Sequence, residues 1–533
     1  MPELLQDFAA RAADAHADSV ALAMDDERIA YGELVQLSDR LAAQLVAAGC
    51  RRGDRVCLLI PKQPLAIVAM HAILKAGAIY VPLDSESPAP RLARIVDSAA
   101  PSLLLAAPET SPLLDELAGT LTLPPIVSTA AAPVAGERVR SIATRAEWDR
   151  QSAAPAVRVG ADDGAYLLFT SGSTGVPKGV LITHRNVAAF TNWTVAQFGV
   201  GPDERISGHP ALHFDLSTLD VWTALAAGAE LVMVPPALGL NARGLAELIR
   251  TRELTQWCSV PSVLTYMAKF DAVGDGDFPA LRRLLWCREV LPTPILSHWM
   301  RRLPHVRFTN LYGPTEATVA SSWYDVPAVP EDESAPVPIG SACAGEELLV
   351  LDERRDAVAV EEIGDLYIGG VGLSPGYWRD EQKTRAAFVP DPRDASGRAR
   401  LYRTGDLARV DADGRFHFLG RADSQIKSRG YRIELGEVES ALSALAGVRE
   451  CAVVGVEGES FEGVTIGAAY VGDDELRPAA LRRELAAVLP SYMLPAHWIS
   501  LDVLPKNQNG KIDRSELRER LGRTRTDRRG QRT

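Results

Sequence analysis

One loop of the sequence collects the residue types that bind a phosphate group. An apolar strand pattern, Tyr166 to Phe169, runs directly into Thr170-Ser-Gly-Ser-Thr-Gly-Val-Pro-Lys-Gly179. Glycines let successive backbone N–H groups converge on an anion, the hydroxyls add donors, and Lys178 adds a positive charge. The candidate phosphate-binding residues are Thr170, Ser171, Gly172, Ser173, Thr174, Gly175 and Lys178.

This loop differs from the P-loop of the common NTPases. That pattern has Ser or Thr directly after its lysine, where the hydroxyl binds magnesium, whereas Lys178 is followed by Gly179. The difference excludes a P-loop kinase or ATPase. Taken alone, the stretch has one other interpretation, a Gly- and Ser-rich surface turn.

Other polar turns place a carboxylate or a lysine between apolar segments. Asn310-Leu-Tyr-Gly-Pro-Thr-Glu316 and Tyr402-Arg-Thr-Gly-Asp406 each end a predicted strand in a tight turn with a carboxylate. His213-Phe-Asp-Leu-Ser217 contains Asp215, and Asn509-Gly-Lys-Ile-Asp513 contains Lys511. Each has an alternative when taken singly: an ordinary turn, or for Asp215 a helix N-cap ahead of the helix.

Alternating helices and short apolar strands position these motifs. A helical period from Leu34 ends at Gly49, and a strand is predicted over Arg55 to Ile60. A helix over 65–76 and a strand over Ile79 to Leu83 follow, and the same alternation resumes after residue 179. This order predicts an α/β fold of layered sheets and helices. Residues 128–163, rich in Ala, Pro, Ser and Gly, are predicted to be an irregular connector.

The residue pattern of the sequence changes near Gly405, where turn-rich strands replace the alternation of helices and apolar strands. The polar run from Gly420 to Gly430 has neither a helical nor a strand period, so it is predicted to be a linker. Helices and strands beyond it suggest a small mobile α+β domain. The expected division is a large domain over 1–422, a small domain over 423–522 and a disordered basic tail over 523–533.

Composition narrows the class of protein. The 533 residues are 47% apolar and carry a net charge of −12, which argues against nucleic-acid binding. The sequence shows no signal peptide and no apolar segment long enough to span a membrane. Six scattered cysteines form no zinc-like spacing and suggest reduced thiols in a cytoplasmic protein.

The motifs occur in one order over nearly the full length, from Tyr31 to Arg514. Because of these motifs and their order, the chain resembles the adenylate-forming superfamily, specifically the amino-acid adenylation domains of nonribosomal peptide synthetases. The resemblance implies ATP and Mg²⁺, and a two-step reaction. A carboxylate first forms an acyl-AMP, and the thiol of a phosphopantetheine arm then displaces AMP.

The resemblance also implies residue roles. Lys511 bridges the substrate carboxylate and the phosphate, Thr315 contacts the phosphate, and Glu316 helps hold Mg²⁺. Asp406 accepts from the ribose hydroxyls and Arg421 lies beside the same sugar, with Tyr312 and Gly313 also in the ATP site. Asp423 is the hinge about which the small domain rotates, and Lys427 faces the pocket in the second step.

By the same resemblance, Asp215 pairs with the substrate ammonium, and the pocket wall is apolar. The wall residues are Leu216, Leu219, Cys258, Leu285, Cys287, Leu311, Val319 and Ala320. An apolar wall favours a small to medium apolar side chain, since a polar one would lose its water partners. Apart from the two cysteines, the pattern is similar to the pocket of stand-alone L-proline-activating enzymes. Another cyclic imino acid or a branched aliphatic amino acid remains open.

The sequence departs from the usual family pattern at two positions, and two other classes of protein remain to be distinguished from an adenylation domain. Arg288 stands where relatives usually keep a glycine near the nucleotide, which puts the usual backbone approach to adenine in question, and Ser428 replaces a usual aliphatic residue. An acyl- or aryl-CoA synthetase would not need Asp215, and a non-catalytic relative would be expected to lose Lys511, Glu316 or Asp406. No carrier-protein serine motif or condensation motif is found, so the expected acceptor is a separate carrier protein.

Overall fold

The structure is a computed structural model that describes residues 3–134, 136–151, 157–172, 177–239, 241–423, 425–457, 463–473, 475–506 and 512–530. The chain forms two compact units. The first comprises Met1–Ser85, Val96–Phe169 and Gly179–Ala422. The second comprises Glu86–Ile95, Thr170–Lys178 and Asp423–Thr533.

Helices occur along the whole described chain, with strands between most of them. They are α1 (Leu5–His16), α2 (Tyr31–Ala47), α3 (Pro64–Lys75), α4 (Ala89–Ala99), α5 (Ser111–Ala118), α6 (Arg145–Trp148), α7 (His184–Phe198), α8 (Leu216–Ala227), α9 (Ala242–Thr251), α10 (Pro261–Lys269), α11 (Thr293–Arg302), α12 (Glu381–Ala387), α13 (Leu435–Ser443), α14 (Pro478–Ala486) and α15 (Arg514–Gly530).

The strands alternate with helices in the first half and cluster between residues 341 and 434. They are β1 (Val20–Met24), β2 (Glu27–Ala30), β3 (Arg55–Leu59), β4 (Ile79–Pro82), β5 (Leu103–Ala106), β6 (Ile126–Ser128), β7 (Ser141–Ala143), β8 (Gly164–Thr170), β9 (Lys178–Thr183), β10 (Arg205–Gly208), β11 (Glu230–Met233), β12 (Gln256–Ser259), β13 (Arg283–Trp286), β14 (Arg307–Tyr312), β15 (Ser322–Asp325), β16 (Ser341–Ala342), β17 (Glu346–Leu351), β18 (Gly364–Gly370), β19 (Gly376–Tyr377), β20 (Phe388–Pro390), β21 (Arg400–Val410), β22 (Phe416–Arg421), β23 (Gln425–Ser428), β24 (Tyr431–Glu434), β25 (Val448–Glu457), β26 (Val464–Gly472) and β27 (His497–Ser500).

Two mixed sheets form most of the first unit. One has the order β16-β15-β14-β13-β12-β10-β11-β1-β2 and the other the order β19-β9-β8-β4-β3-β5-β6-β7. Their central strands pair in parallel. Strands such as β5 are buried at every position, which is typical of parallel strands covered on both faces by helices. The α/β fold predicted from the alternating pattern is therefore confirmed.

A third, antiparallel sheet in the same unit carries one of the predicted motifs. Its order is β17-β18-β21-β20, and β22 pairs with β21. The strand β21 contains Asp406, which faces Arg421 of β22 in the register of the pair.

The second unit contains the antiparallel pair β25-β26 with β27 parallel to β26, and a separate hairpin of β23 and β24. Helices α13 and α14 cover an apolar cluster that includes Ile433, Val438 and Leu481. This α+β architecture agrees with the prediction for the small domain.

The structure corrects two predictions about irregular segments. Residues 128–163 are not irregular throughout, because they contain β7 and α6, whose N-terminus has a capping box of Thr144 and Glu147. The run from Gly420 to Gly430 is not a plain linker either. It contributes the end of β22 and all of β23, which pairs with β24 through residues such as Lys427 opposite Arg432.

The apolar pattern of the sequence did not predict the β23–β24 hairpin, for a physical reason. Its strands are held by backbone hydrogen bonds, and these do not require an apolar alternation in the sequence.

The last helix, α15, runs through Gly530, beyond the expected boundary at 522. Among the described residues, no helix is long and apolar enough to cross a membrane.

Candidate active site

The predicted pocket wall is brought together in the core of the first unit. All eight side chains belong to one apolar cluster and are at most 2% exposed. Elements far apart in the sequence supply them: helix α8, strands β12, β13 and β14, and the segments that follow β13 and β14. The wall residues are Leu216, Leu219, Cys258, Leu285, Cys287, Leu311, Val319 and Ala320.

Strand register explains how three adjacent strands deliver this wall. Cys258 of β12 pairs with Leu285 of β13, and Leu285 pairs with Thr309 of β14. Side chains two residues apart on a strand share a face, so Leu311 lies on the same face as Thr309, one step further along β14. The wall lies toward the carboxyl ends of parallel strands, where ligands bind in α/β sheets.

The segment that carries Val319 and Ala320 is tightly constrained. Thr318 and Val319 both have positive φ angles, +54° and +71°. The Thr318 hydroxyl donates to the carbonyl of Gly372 at 2.6 Å. A Cβ on Gly313 would lie 2.5 Å from Cα of Ala320, so only glycine fits where these two backbone segments meet.

Asp215 is 1% exposed and sits at the N-cap position of α8. Within the described chain its side chain caps no backbone N–H of that helix, which removes the helix-capping alternative. One carboxylate oxygen, Oδ1, instead accepts from a guanidinium nitrogen of Arg288. Burial raises the pKa of Asp215, and Arg288 and Thr315 oppose that rise.

Arg288 adopts a position that the sequence alone did not indicate. Its φ is +87°, so an arginine holds a backbone conformation that normally favours glycine. The guanidinium lies over the ring of Phe214, 5.2 Å from its centroid, and is 7% exposed. Nη2 pairs with Asp215 and is also 3.3 Å from Oγ1 of Thr315. The side chain is therefore part of the candidate amino-acid site.

Thr315 and Glu316 form a short 3₁₀ turn after β14. Glu316 is fully buried, and its Oε1 accepts from the hydroxyl of Tyr377 at 2.8 Å. Mg²⁺ is commonly held by one or two carboxylates together with substrate phosphates, so a single buried carboxylate fits such an ion. Across the described residues, no group of three or more His, Cys, Asp and Glu could hold a metal ion.

Asp406 has both carboxylate oxygens engaged. Tyr312 donates its hydroxyl to Oδ2, and Arg421 donates to Oδ1. Arg421 also donates to the carbonyl of Thr404 at 3.2 Å, which fixes its guanidinium. Burial and the Asp406 charge raise the pKa of Tyr312 well above its ordinary value, so its hydroxyl stays protonated and donates. Three residues predicted for the ATP site thus form one polar group.

The described part of the phosphate loop belongs to the second unit. The Ser171 hydroxyl donates to the carbonyl of Arg432 at 2.7 Å, and the N–H of Gly172 donates to Glu437 at 3.3 Å. The ammonium of Lys178 is 3.6 Å from Glu434. Both charged contacts are with carboxylates, so these donors have the polarity that a phosphate requires.

Of the remaining predicted site residues, three have contacts or positions of their own, and four lie outside the described chain. Thr170 ends β8, and its hydroxyl is buried without a hydrogen-bond partner among the described residues. Asp423 accepts from the N–H of Gln425 at 3.0 Å, and Lys427 lies on β23. Predicted site residues outside the described chain are Ser173, Thr174, Gly175 and Lys511.

Sequence reasoning missed two ionisable side chains near the apolar wall, Lys62 and Asp220. The Lys62 ammonium donates to the carbonyls of Gly208 and His209 at 2.5 and 2.8 Å. Burial lowers the pKa of Lys62 to about 7, against the opposing charge of Asp220, and burial raises the pKa of Asp220 well above its ordinary value. The available signal was a lysine directly after an apolar strand and an aspartate inside an apolar helix.

Comparison with known proteins agrees with this geometry. Residues 9–378 match the family model described as AMP-binding enzyme, and residues 437–511 match the AMP-binding enzyme C-terminal domain. The L-proline--[L-prolyl-carrier protein] ligase of Pseudomonas fluorescens is 36% identical, covering 93% of this chain and 95% of that protein. Phosphinothricin tripeptide synthetase PhsC of Streptomyces viridochromogenes is 38% identical over 97% of this chain, but this chain spans only 45% of that protein.

A solved structure shows the same fold. NpsA-ThdA, an artificially fused adenylation-PCP di-domain protein from Klebsiella oxytoca, superposes with a TM-score of 0.80 and 26% identity, over 94% of each chain. The family model covers well over half of the sequence, and its match contains Asp215, Arg288, Thr315 and Glu316. The chain therefore belongs to the AMP-binding enzyme family.

Proposed function

We propose that this chain activates a small apolar amino acid, with L-proline as the first candidate, as its aminoacyl-AMP. It then transfers the acyl group to the phosphopantetheine thiol of a separate carrier protein. The observation that carries this proposal is a buried carboxylate, Asp215, beside a wall of eight apolar side chains. The name of the 36%-identical ligase supports L-proline and a carrier protein.

In the first step, an oxygen of the substrate carboxylate attacks the α-phosphorus of ATP, and the bond to pyrophosphate breaks. Two anions meet in this step, so fixed donors and cations must lie where the charge accumulates. We assign that role to Lys511, to Thr315 and to the loop from Thr170 to Lys178. Glu316 would hold Mg²⁺, which when bound neutralises part of the phosphate charge.

In the second step, the carrier thiolate attacks the acyl carbon and AMP leaves. We assign the ribose hydroxyls to Asp406, whose carboxylate is fixed by Tyr312 and Arg421. The hinge role of Asp423 and the second-step role of Lys427 remain part of the proposal. All six cysteines are free and buried, which suits the reducing cytoplasm where we place the reaction.

A buried ammonium partner separates this proposal from its rivals. Aryl and fatty acids lack an ammonium group, so an acyl- or aryl-CoA synthetase would leave Asp215 without its ligand. Among amino acids, the wall admits cyclic imino acids other than proline and branched aliphatic side chains. These are the alternatives that the first experiment must separate.

ATP–pyrophosphate exchange tests the proposal with proline, its four- and six-membered ring homologues, valine, alanine, an aryl acid and a fatty acid. We expect proline to give the highest kcat/KM. Lys511→Ala should lose exchange while binding ATP nearly normally, because the lysine acts on the reacting groups. Exchange with the aryl or fatty acid but with no amino acid would overturn the proposal.

A further inference from the structure

Arg288 links two residues that the proposed reaction places on either side of the reacting carboxylate. One nitrogen, Nη2, contacts Oδ1 of Asp215 and lies 3.3 Å from Oγ1 of Thr315. In the proposed reaction Asp215 binds the amine and Thr315 contacts the phosphate. The substrate carboxylate lies between these two groups, because it is bonded to the carbon bearing the amine and becomes bonded to phosphorus.

The same pair leaves one acceptor and one donor unused. Oδ2 of Asp215 and Nε of Arg288 are both buried and have no hydrogen-bond partner among the described residues. The two side chains are only 1% and 7% exposed, so water does not satisfy these atoms freely. A buried polar atom without a hydrogen-bond partner destabilises the fold, because it has lost its contacts with water. An amino acid supplies the complement, an N–H donor and a carboxylate acceptor.

The local backbone gives an independent reason to expect a role. A positive φ is strained at a residue other than glycine, and Arg288 has a φ of +87°. Glycine would relieve this strain and would also avoid burying a guanidinium. Residues that break a local rule in this way tend to occur at functional sites.

We propose that Arg288 is a further substrate-binding residue, whose Nε–H donates to the substrate carboxylate while Oδ2 of Asp215 accepts from the amine. The inference rests on the proposed function and extends it. The buried ion pair then recognises both ends of the amino-acid backbone, and the guanidinium adds a cation to the one expected from Lys511. A fixed cation at this point offsets the repulsion between the carboxylate and the α-phosphate.

Two ligands distinguish binding of the substrate carboxylate by Arg288 from an indirect effect of Arg288 on Asp215. L-Proline and L-prolinol share the ring and the amine, but prolinol has no carboxylate. Calorimetric titrations with α,β-methylene-ATP and Mg²⁺ present would compare the intact chain with Arg288→Gln. We expect proline affinity to fall about 10-fold or more, the worth of one charge-assisted hydrogen bond, and prolinol affinity to change less than about 3-fold.

Controls keep the test clear of folding effects. Arg301→Gln removes an exposed arginine that pairs with Glu333, and both affinities should stay unchanged. Should Arg288→Gln fail to fold, Arg288→Lys retains the charge without the Nε–H, and we expect the same selective loss for proline in milder form.

Each other outcome overturns the inference in a distinct way. Equal weakening of both ligands would mean that Arg288 only positions Asp215. Tighter binding of both ligands would mean that Arg288 competes with the amine for Asp215. If none of the amino acids supports pyrophosphate exchange by the intact chain, the proposed function itself is refuted. The two failures are therefore distinguishable.

Discussion

At the scale of single residues, the chemistry depends on partners that the sequence does not display. The sequence predicts that the motif containing Asp406 ends a strand in a turn, but Asp406 lies inside β21, and Tyr312 and Arg421 hold its carboxylate. Those residues are 94 and 15 positions away. The two partners fix the orientation of a carboxylate whose oxygens can accept hydrogen bonds, as the proposed contact to the ribose hydroxyls requires.

We expect Asp406→Asn to raise the KM for ATP about 10-fold or more, because the amide accepts less strongly than a carboxylate. The variant should also discriminate less between ATP and its 2′- and 3′-deoxy analogues, since the lost contacts are to those hydroxyls. Exchange kinetics with the three nucleotides would measure both effects.

Asp413→Asn supplies the control for that variant. Asp413 is an exposed carboxylate in the next turn and pairs with Arg415. Its replacement should leave the nucleotide KM unchanged. An Asp406→Asn enzyme that keeps full discrimination against the deoxy analogues would contradict the ribose assignment.

For Arg288, too, the sequence position did not reveal the partners of the side chain. Its departure from glycine was visible in the sequence and pointed to the nucleotide, whereas its guanidinium lies against Asp215 and Thr315. A motif position gives the backbone location, but the direction of a long side chain follows from packing, here over Phe214.

At the scale of elements, the turn after β14 joins the wall to the nucleotide motif. Gly313 lies against the backbone of the segment that carries Val319 and Ala320. A Cβ there would meet Cα of Ala320 at 2.5 Å and the carbonyl oxygen of Val319 at 2.8 Å. Backbone atoms cannot rotate away as a side chain can, so the whole segment would have to move.

Gly313→Ala should therefore destabilise the fold by about 1–3 kcal/mol and weaken amino-acid binding, because overpacking displaces part of the wall. Urea denaturation and exchange kinetics would measure the two effects. At Gly201, a Cβ would meet no other atom within 4 Å. Gly201→Ala should thus change stability by less than about 1 kcal/mol. Equal effects of the two substitutions would refute the steric argument.

At the scale of the whole molecule, buried ionisable groups couple the fold to pH. Burial raises the pKa of Glu346 to about 8, although the N–H of Gly372 hydrogen-bonds it at 2.6 Å and favours the ionised form. The same group ionises near 4.5 in its ordinary state. Between these values the native protein binds more protons than the unfolded chain. The free energy of unfolding therefore falls as pH rises through that window.

We expect the intact chain to lose roughly 3–4 kcal/mol of stability between pH 5 and pH 8 relative to Glu346→Gln. The amide keeps an acceptor for Gly372 but cannot ionise. Denaturant titrations at several pH values would measure the difference.

The neighbouring Glu347 provides the matched control, because Arg393 pairs with it and lowers its pKa. Glu347→Gln should keep the pH slope of the intact chain above pH 5, because Glu346 is still present and Glu347 stays ionised through that range in both states. Parallel stability curves for the intact chain and Glu346→Gln would rule out a neutral Glu346 in the fold.

The sequence by itself determined the fold class, the order of the motifs and some of the regular elements. Apolar runs such as Ile79 to Leu83 predict buried strands because burial of nonpolar surface dominates folding, and periodicity records which faces are buried. It missed the β23–β24 hairpin, whose backbone hydrogen bonds leave no such apolar record.

Tertiary structure decided how the candidate residues are connected. Strand register gathered Cys258, Leu285 and Leu311 into one wall, and packing turned Arg288 toward Asp215. Neither result could be read from spacing, because the partners lie tens of residues apart and long-range contacts form only when the sheet assembles. The motifs name the candidate site residues, and the fold decides which charged groups those residues contact.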